Sequence, residues 1–228
     1  MRTRMLVIAV VAALLVIAAA QDAFAHDYWN LWTGKLWQRG DPGSTHQEWD
    51  LTMAYNVYPT ISNNPYGVAQ LTFQYGLYPD YVPGPDQEVI PTFHVGYIDS
   101  LGQEIPGPMW LYIPNSPVAN EVKYVYVQIT SDKYTLNNQP PVVIPSASNI
   151  TSPGPIIQHP YGTWYTYNWL IEIKPNPLSE WLEFQFPYST NISQVVVDTI
   201  CVPEPSSLAT LGVSGIFTSL LALRRRRP

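Results

Sequence analysis

The middle of the chain consists of stretches in which apolar side chains recur at every second residue. In residues 122–130, Lys123, Val125 and Val127 alternate with residues that would lie on the opposite face of a strand, and residues 164–173 follow the same pattern. A period of two places alternate side chains on opposite faces of an extended strand, whereas a helix requires a period near 3.6. The pattern therefore predicts an all-β domain.

The same alternation, interrupted by Pro, Gly and Asn, predicts seven strands and the connections between them. Strands are predicted at residues 49–57, 68–78, 90–98, 122–130, 164–173, 181–186 and 193–202. Connections are predicted at residues 79–85, 106–117 and 138–160. Two sheets packed face to face bury such apolar stripes, so we expect a β-sandwich of jelly-roll type. Its predicted core includes Trp49, Trp169 and Trp181, which alternate with apolar partners.

The first 25 residues have the order of a secretory signal peptide, predicted to form a helix. Arg2 and Arg4 precede an uncharged apolar run, and Ala23 and Ala25 supply the small residues of an A-x-A cleavage site. Cleavage after Ala25, with Ala20 as the alternative site, would leave an exported domain over residues 26–201.

The end of the chain, residues 202–228, predicts a transmembrane helix with a cytoplasmic stop. Residues 206–223 carry no charge, and as a helix they would span roughly 27 Å, which is enough for a membrane span. Four arginines follow directly and resist translocation, so the preceding domain is expected outside the cytoplasm. These arginines are Arg224, Arg225, Arg226 and Arg227.

The end of the chain contains Pro203, Glu204 and Pro205, followed by the apolar segment and the arginines. This order resembles the PEP-CTERM protein-sorting signal of bacteria. The resemblance covers residues 202–228 only. It implies processing near the motif by exosortase, a membrane protease-transpeptidase, with an inner-membrane stage before delivery to the envelope or the exterior. It implies nothing about residues 26–201, because many unrelated proteins carry this signal.

The charge balance excludes one class of partner. Residues 25–202 contain fifteen acidic and five basic residues, a net charge of −10, against −6 for the whole chain. A surface that binds phosphates needs clustered Lys and Arg. Nucleic acid is therefore not an expected partner.

Cys201 is the one cysteine of the chain. A single thiol cannot form an intramolecular disulfide, so the domain must be stable without one. We expect Cys201 to be an apolar residue at the end of a strand, with an intermolecular bridge or a lipid attachment as alternatives.

The common catalytic motifs are absent, and the sequence predicts no enzyme, no cofactor and no metal. Glu48 and Asp50 resemble the start of the Glu-x-Asp-x-x-Glu signature of a jelly-roll glycoside hydrolase family. Glycoside hydrolysis requires a pair of carboxyl groups, and the third position here is Met53, which can neither donate a proton nor attack.

Two further hypotheses concern His26 and the tryptophans. As a new N-terminus, His26 would offer an amine and a ring nitrogen to copper, as in copper-dependent polysaccharide monooxygenases, if a second histidine lay close; His46, His94 or His159 are the alternatives. Trp29, Trp32 and Trp37 lie in a segment without clean alternation, and exposed rings there would stack on sugars.

The leading interpretation is an exported envelope protein without enzymatic activity, and the alternative is a carbohydrate-binding module.

Overall fold

The computed structural model describes residues 36–52, 57–74, 76–83, 89–116, 122–133, 141–144, 149–151, 157–159 and 163–202. These residues belong to a unit that runs from residue 34 to residue 228. The described residues form strands, turns and bends and contain no helix, which confirms the all-β prediction.

Fifteen strands are present in the described residues, and all the pairs between them are antiparallel. They are β1 (Ser44–Asp50), β2 (Ile61–Asn63), β3 (Gln70–Phe73), β4 (Gly76–Pro83), β5 (Val89–Val95), β6 (Tyr97–Ile98), β7 (Glu104–Ile105), β8 (Gly107–Pro114), β9 (Val122–Ser131), β10 (Val142–Ile144), β11 (Asn149–Thr151), β12 (Ile157–Gln158), β13 (Tyr165–Ile173), β14 (Ser179–Phe186) and β15 (Thr190–Val202).

The large sheet has nine strands, and β15 lies at its centre. The main path runs β11-β13-β9-β15-β1-β2, while β12 also pairs with β13, and β5 pairs with both β15 and β4. Val197 of β15 lies opposite Val127 of β9 on one side and Gln47 of β1 on the other. The small sheet has four strands in the order β10-β14-β8-β3, and β6 and β7 form a separate pair.

The two larger sheets share one hydrophobic core. The large sheet contributes the apolar side chains that alternate along β9, β13 and β15, and the small sheet contributes those of β3, β8 and β14. Trp169 and Phe184 meet edge to face across the two sheets, with ring centroids 5.2 Å apart. Buried core residues of the two sheets include Val125, Val127, Ile129, Trp169, Ile171, Val195 and Val197 from the first and Leu71, Met109, Leu111, Ile113, Leu182 and Phe184 from the second.

All three predicted connections are wrong in part, because each of them contains residues that form strands. Residues 106–117 contain β8, a central strand of the small sheet, in which Met109, Leu111 and Ile113 are buried at every second position. Residues 79–85 overlap β4. Residues 138–160 contain β10, β11 and β12, each only two or three residues long, and strands this short carry no readable alternation.

Two predicted strands have different bounds in the structure. The strand predicted at residues 49–57 ends at Asp50, whose Oδ1 accepts hydrogen bonds from the backbone N and the hydroxyl of Thr52 at 2.9 and 2.6 Å and so stabilises a turn. The strand predicted at residues 68–78 is two strands, because β3 belongs to the small sheet and β4 to the large one.

The terminal helices of the prediction lie outside the described residues. These include the signal-peptide segment with Ala23 and Ala25, and the segment from Pro203 to the arginines. Within the part of the chain that the structure describes, no helix is long and apolar enough to cross a membrane.

Candidate functional sites

An aromatic face lies on the outer side of the small sheet. We use this name for the side chains of Trp110, Tyr112 and Trp181, which alternate with the buried residues of β8 and β14. Trp181 and Tyr112 are paired across the two strands, and their ring centroids are 5.0 Å apart at an interplanar angle of 46°. Trp181 is 40% exposed. Large rings that remain open to solvent in this way are available to a ligand.

Apolar and polar groups surround the aromatic face. Val142 and Ile144 of β10 are exposed, and Ile144 is paired with Trp181. Glu183, which is paired with Trp110, contacts Gln185 through a hydrogen bond from Nε2 to Oε1. Rings that cover the C–H face of a sugar, beside amides and carboxylates that bond its hydroxyls, would form a carbohydrate site.

The tryptophans for which the sequence predicts a role differ in their exposure to solvent. Trp49 and Trp169 are 1% and 0% exposed, so their placement in the core is confirmed. The core prediction for Trp181 is wrong, because the buried positions of β14 are Glu180, Leu182, Phe184 and Phe186. Trp37 was predicted as part of an exposed platform, but it is only 3% exposed and offers no open ring face. Trp29 and Trp32 lie outside the described residues.

A second group of polar residues lies on β1 and β15, on the side of the large sheet away from the core. Asp198, which is fully buried, accepts hydrogen bonds from Arg39 Nε and Nη2, each at 2.6 Å, and its Oδ1 lies 3.0 Å from Nδ1 of His46. Glu48 Oε1 accepts a hydrogen bond from Gln194 Nε2 at 2.8 Å. A bidentate pair of this kind is a strong structural contact, and it fixes the segment before β1 onto the sheet.

The histidines bear on the copper hypothesis. His46 is held by Asp198, Nε2 of His159 lies 3.0 Å from the Thr166 hydroxyl, and the ring of His94 packs edge-on against Tyr188. His26 lies outside the described residues. Among the residues that the structure describes, no three His, Cys, Asp or Glu side chains are grouped so as to hold a metal ion.

A third group of polar residues lies inside the molecule, at one end of the core. We call Lys123, Asn115 and Glu180 the interior triad. Lys123 and Glu180 are fully buried and Asn115 is 6% exposed. Lys123 Nζ contacts both Asn115 Oδ1 and Glu180 Oε1, and Asn115 Nδ2 donates to Glu180 Oε2 at 2.5 Å. All three side chains are therefore in mutual contact away from solvent.

Neighbouring groups complete the surroundings of the interior triad. Asn115 Nδ2 also donates to the Pro177 carbonyl at 2.7 Å and to Asn176 Oδ1 at 3.0 Å. Asn176 Nδ2 in turn donates to Cys201 Sγ at 3.5 Å. Burial raises the pKa of Glu180, against the opposing effects of Lys123 and Asn115. Burial likewise raises the pKa of the Cys201 thiol.

The sequence carries one signal for this triad. The alternation of β9 places Lys123 on the same face as Val125 and Val127, at the start of a stripe of apolar residues that is buried. A charged side chain in such a stripe needs a buried partner. The partners are Asn115, directly after β8, and Glu180, in β14, and only the tertiary structure brings them to Lys123.

Comparison with known proteins gives no family: no protein-family model matches the chain, and no curated protein matches it significantly.

Proposed function

We propose that the protein is an exported bacterial envelope protein without enzymatic activity, a jelly-roll β-sandwich delivered and then sorted by its two terminal segments. The signal peptide directs export with cleavage after Ala25, and the PEP-CTERM-like segment holds the precursor in the inner membrane through a C-terminal helix until an exosortase-type protease acts. The mature domain then reaches the envelope or the exterior.

One observation carries this proposal. β15 is the last strand of the described residues, and it remains paired with β9 as far as Val202, opposite Val122. The segment that resembles a sorting signal therefore begins directly after a strand from the centre of the large sheet. Cleavage near residue 203 would remove that segment without cutting into β15, as processing of an intact folded domain requires.

Fractionation of the producing bacterium tests the proposal. We expect a membrane-bound precursor and a shorter mature form outside the inner membrane. Pro203→Ala, Glu204→Ala and Pro205→Ala together should make the precursor accumulate in the membrane. Glu104→Ala, at an exposed carboxylate on β7, is the matched control and should leave processing unchanged. Recovery of the full-length, uncleaved wild-type chain in the cytosol would rule the proposal out.

A second candidate function, carbohydrate binding, is favoured by the aromatic face. An exposed tryptophan beside a tyrosine and a second tryptophan on one sheet face matches what a polysaccharide chain needs, since its sugar rings present flat C–H surfaces. The ligand would be an envelope or environmental polysaccharide.

A glycan array tests this candidate. Wild type should bind at least one polysaccharide, and Trp181→Ala combined with Tyr112→Ala should weaken that binding at least about tenfold, or ~1.4 kcal/mol. Tyr81→Ala, which removes an exposed ring from β4, should have no effect. Unchanged binding by the double variant would exclude the aromatic face, and Trp29→Ala with Trp32→Ala would then test the platform predicted from the sequence.

A further inference from the structure

The interior triad holds an amine, a carboxamide and a carboxyl group in mutual contact and out of solvent. We propose that Lys123 Nζ and Asn115 Cγ condense to an intramolecular isopeptide bond, with Glu180 as the catalytic residue. The product is a covalent link between the two main sheets. It is independent of the function proposed above.

The placement of the three residues suits such a link. Lys123 lies on β9 in the large sheet, Glu180 lies on β14 in the small sheet, and Asn115 directly follows β8 in the small sheet. β8, β9 and β14 are each flanked by neighbours on both sides. The bond would therefore join interior strands of the two sheets, in a chain whose single cysteine cannot supply a disulfide crosslink.

The hydrogen bonds orient the carboxamide for substitution. Asn115 Nδ2, the leaving nitrogen, donates toward Asn176 Oδ1, the Pro177 carbonyl and Glu180 Oε2. Lys123 Nζ contacts the other side of the group, at Oδ1. One carboxyl oxygen of Glu180 thus contacts the attacking nitrogen and the other contacts the leaving nitrogen, which is the arrangement that a proton shuttle needs.

The reaction also removes an unfavourable buried charge. A lysine ammonium has three N–H donors, and the described residues supply two acceptors for them, on Asn115 and Glu180. Burying an ion pair whose hydrogen bonds are incomplete is costly. After condensation, Nζ keeps one N–H, which Glu180 Oε1 can accept, and both charges of the buried pair have been neutralised.

The step balances without any oxidant or further reactant. A proton passes from the Lys123 ammonium to Glu180, and the free electron pair of Nζ forms a bond to Asn115 Cγ. The tetrahedral carbon that results carries both nitrogens. Glu180 delivers its proton to Nδ2 and takes one from Nζ in exchange, the Cγ–Nδ2 bond breaks, and ammonia departs. Glu180 is left protonated, and the raised pKa that burial gives this carboxyl favours that neutral form.

Peptide mass spectrometry of the full-length, denatured protein tests the bond directly. A glutamate-specific protease cuts after Glu104, Glu121 and Glu172, so that Asn115 and Lys123 fall in separate peptides, 105–121 and 122–172. We expect the two peptides to remain joined, with a mass below their sum by one ammonia molecule. Trypsin should fail to cut after Lys123 and should give a peptide of residues 40–133. Separate, unmodified peptides from folded wild-type protein would overturn the proposal.

Variants distinguish the covalent bond from a buried ion pair. Lys123→Arg keeps the positive charge beside Glu180 but lacks a nucleophilic amine, so the peptides should separate. Glu180→Gln should remain folded by circular dichroism and lose most or all of the link, whereas undiminished linkage would refute the catalytic role of Glu180. Asn115→Asp should give the same linked product by loss of water. Lys174→Arg, at the exposed ion pair with Glu172, is the matched control and should leave linkage complete.

Discussion

At the scale of single residues, the most unusual feature is a pair of ionisable side chains at strand positions that face the core. These are Lys123 on β9 and Glu180 on β14, and both are fully buried. Neither residue is tolerable alone in an apolar interior, because an unpaired buried charge destabilises a fold by several kcal/mol. Their contact with each other and with Asn115 explains how the fold accepts them, and it sets up the chemistry inferred above.

The titration of Glu180 predicts a pH dependence of stability. Burial raises the pKa of this carboxyl above its ordinary value of 4.5, so between the unfolded and the folded pKa the folded state holds a proton that the unfolded state has released. The contribution of Glu180 to the free energy of unfolding is therefore fully present below the unfolded pKa and is lost as the pH rises through the folded pKa. The stability difference between wild type and Glu180→Gln should fall as the pH rises above about 4.5, in urea titrations. A difference that is constant with pH would contradict this expectation.

A second residue-scale prediction concerns the reactivity of Cys201. The thiol is 6% exposed, and burial raises its pKa. Since the thiolate is the nucleophile, iodoacetamide should modify the folded protein at least about tenfold more slowly than the urea-unfolded protein at the same pH. Mass spectrometry over time measures both rates. Equal rates would show that the thiol is reached in the folded state.

At the scale of elements, tight turns and close approaches decide where strands end and which sheet they join. Gly96 stands between β5 and β6 with φ at +91°, a conformation that favours glycine. A Cβ there would meet the Ile105 carbonyl oxygen at 2.8 Å and Tyr188 Cα at 3.0 Å. Because Gly96 has no Cβ, the backbone between β5 and β6 can lie in contact with the backbone at Ile105 and at Tyr188.

Substitution at this turn gives an element-scale prediction with an internal control. Gly96→Ala should lower the free energy of unfolding by roughly 2–4 kcal/mol, since backbone strain and steric overlap add. Gly102→Ala shares the positive φ, at +77°, but meets nothing within 4 Å, so it should cost only about 1 kcal/mol. Denaturant titration of both variants measures the difference. Equal losses would mean that the close approach at Gly96 contributes nothing.

At the scale of the whole molecule, stability comes from the joint core of the two sheets, and the outer faces remain available for other roles. Trp169 and Trp181 illustrate the division, because one is fully buried and the other is 40% exposed. Trp169 contacts Phe184 across the sheets and stacks on Tyr167 within its own strand. Trp181 contacts Tyr112 on the outer face.

Truncation of these two tryptophans should therefore have very different effects. Trp169→Ala should lower the free energy of unfolding by about 3–5 kcal/mol, through the cavity left between the sheets. Trp181→Ala should lower it by less than ~1 kcal/mol, as expected for a surface substitution. Thermal and urea unfolding measure both values. A large loss for Trp181→Ala would mean that the aromatic face serves packing rather than ligand binding.

The sequence alone determined the all-β class and most of the long strands, because apolar residues at every second position lie on one face only if the chain is an extended strand. It also placed Trp49 and Trp169 correctly. It did not reveal β8, since the prolines at its ends concealed an alternating strand, and it could not show that the rings of Trp110, Tyr112 and Trp181 share a face.

Only the tertiary structure decided the sites. Asn115 follows β8, Lys123 lies on β9 and Glu180 lies on β14. Their contact depends on how the two sheets pack together, which the residue pattern along a single strand does not determine. Sequence periodicity fixes which face of a strand a side chain occupies, whereas the pairing and packing of strands decide which side chains it meets there.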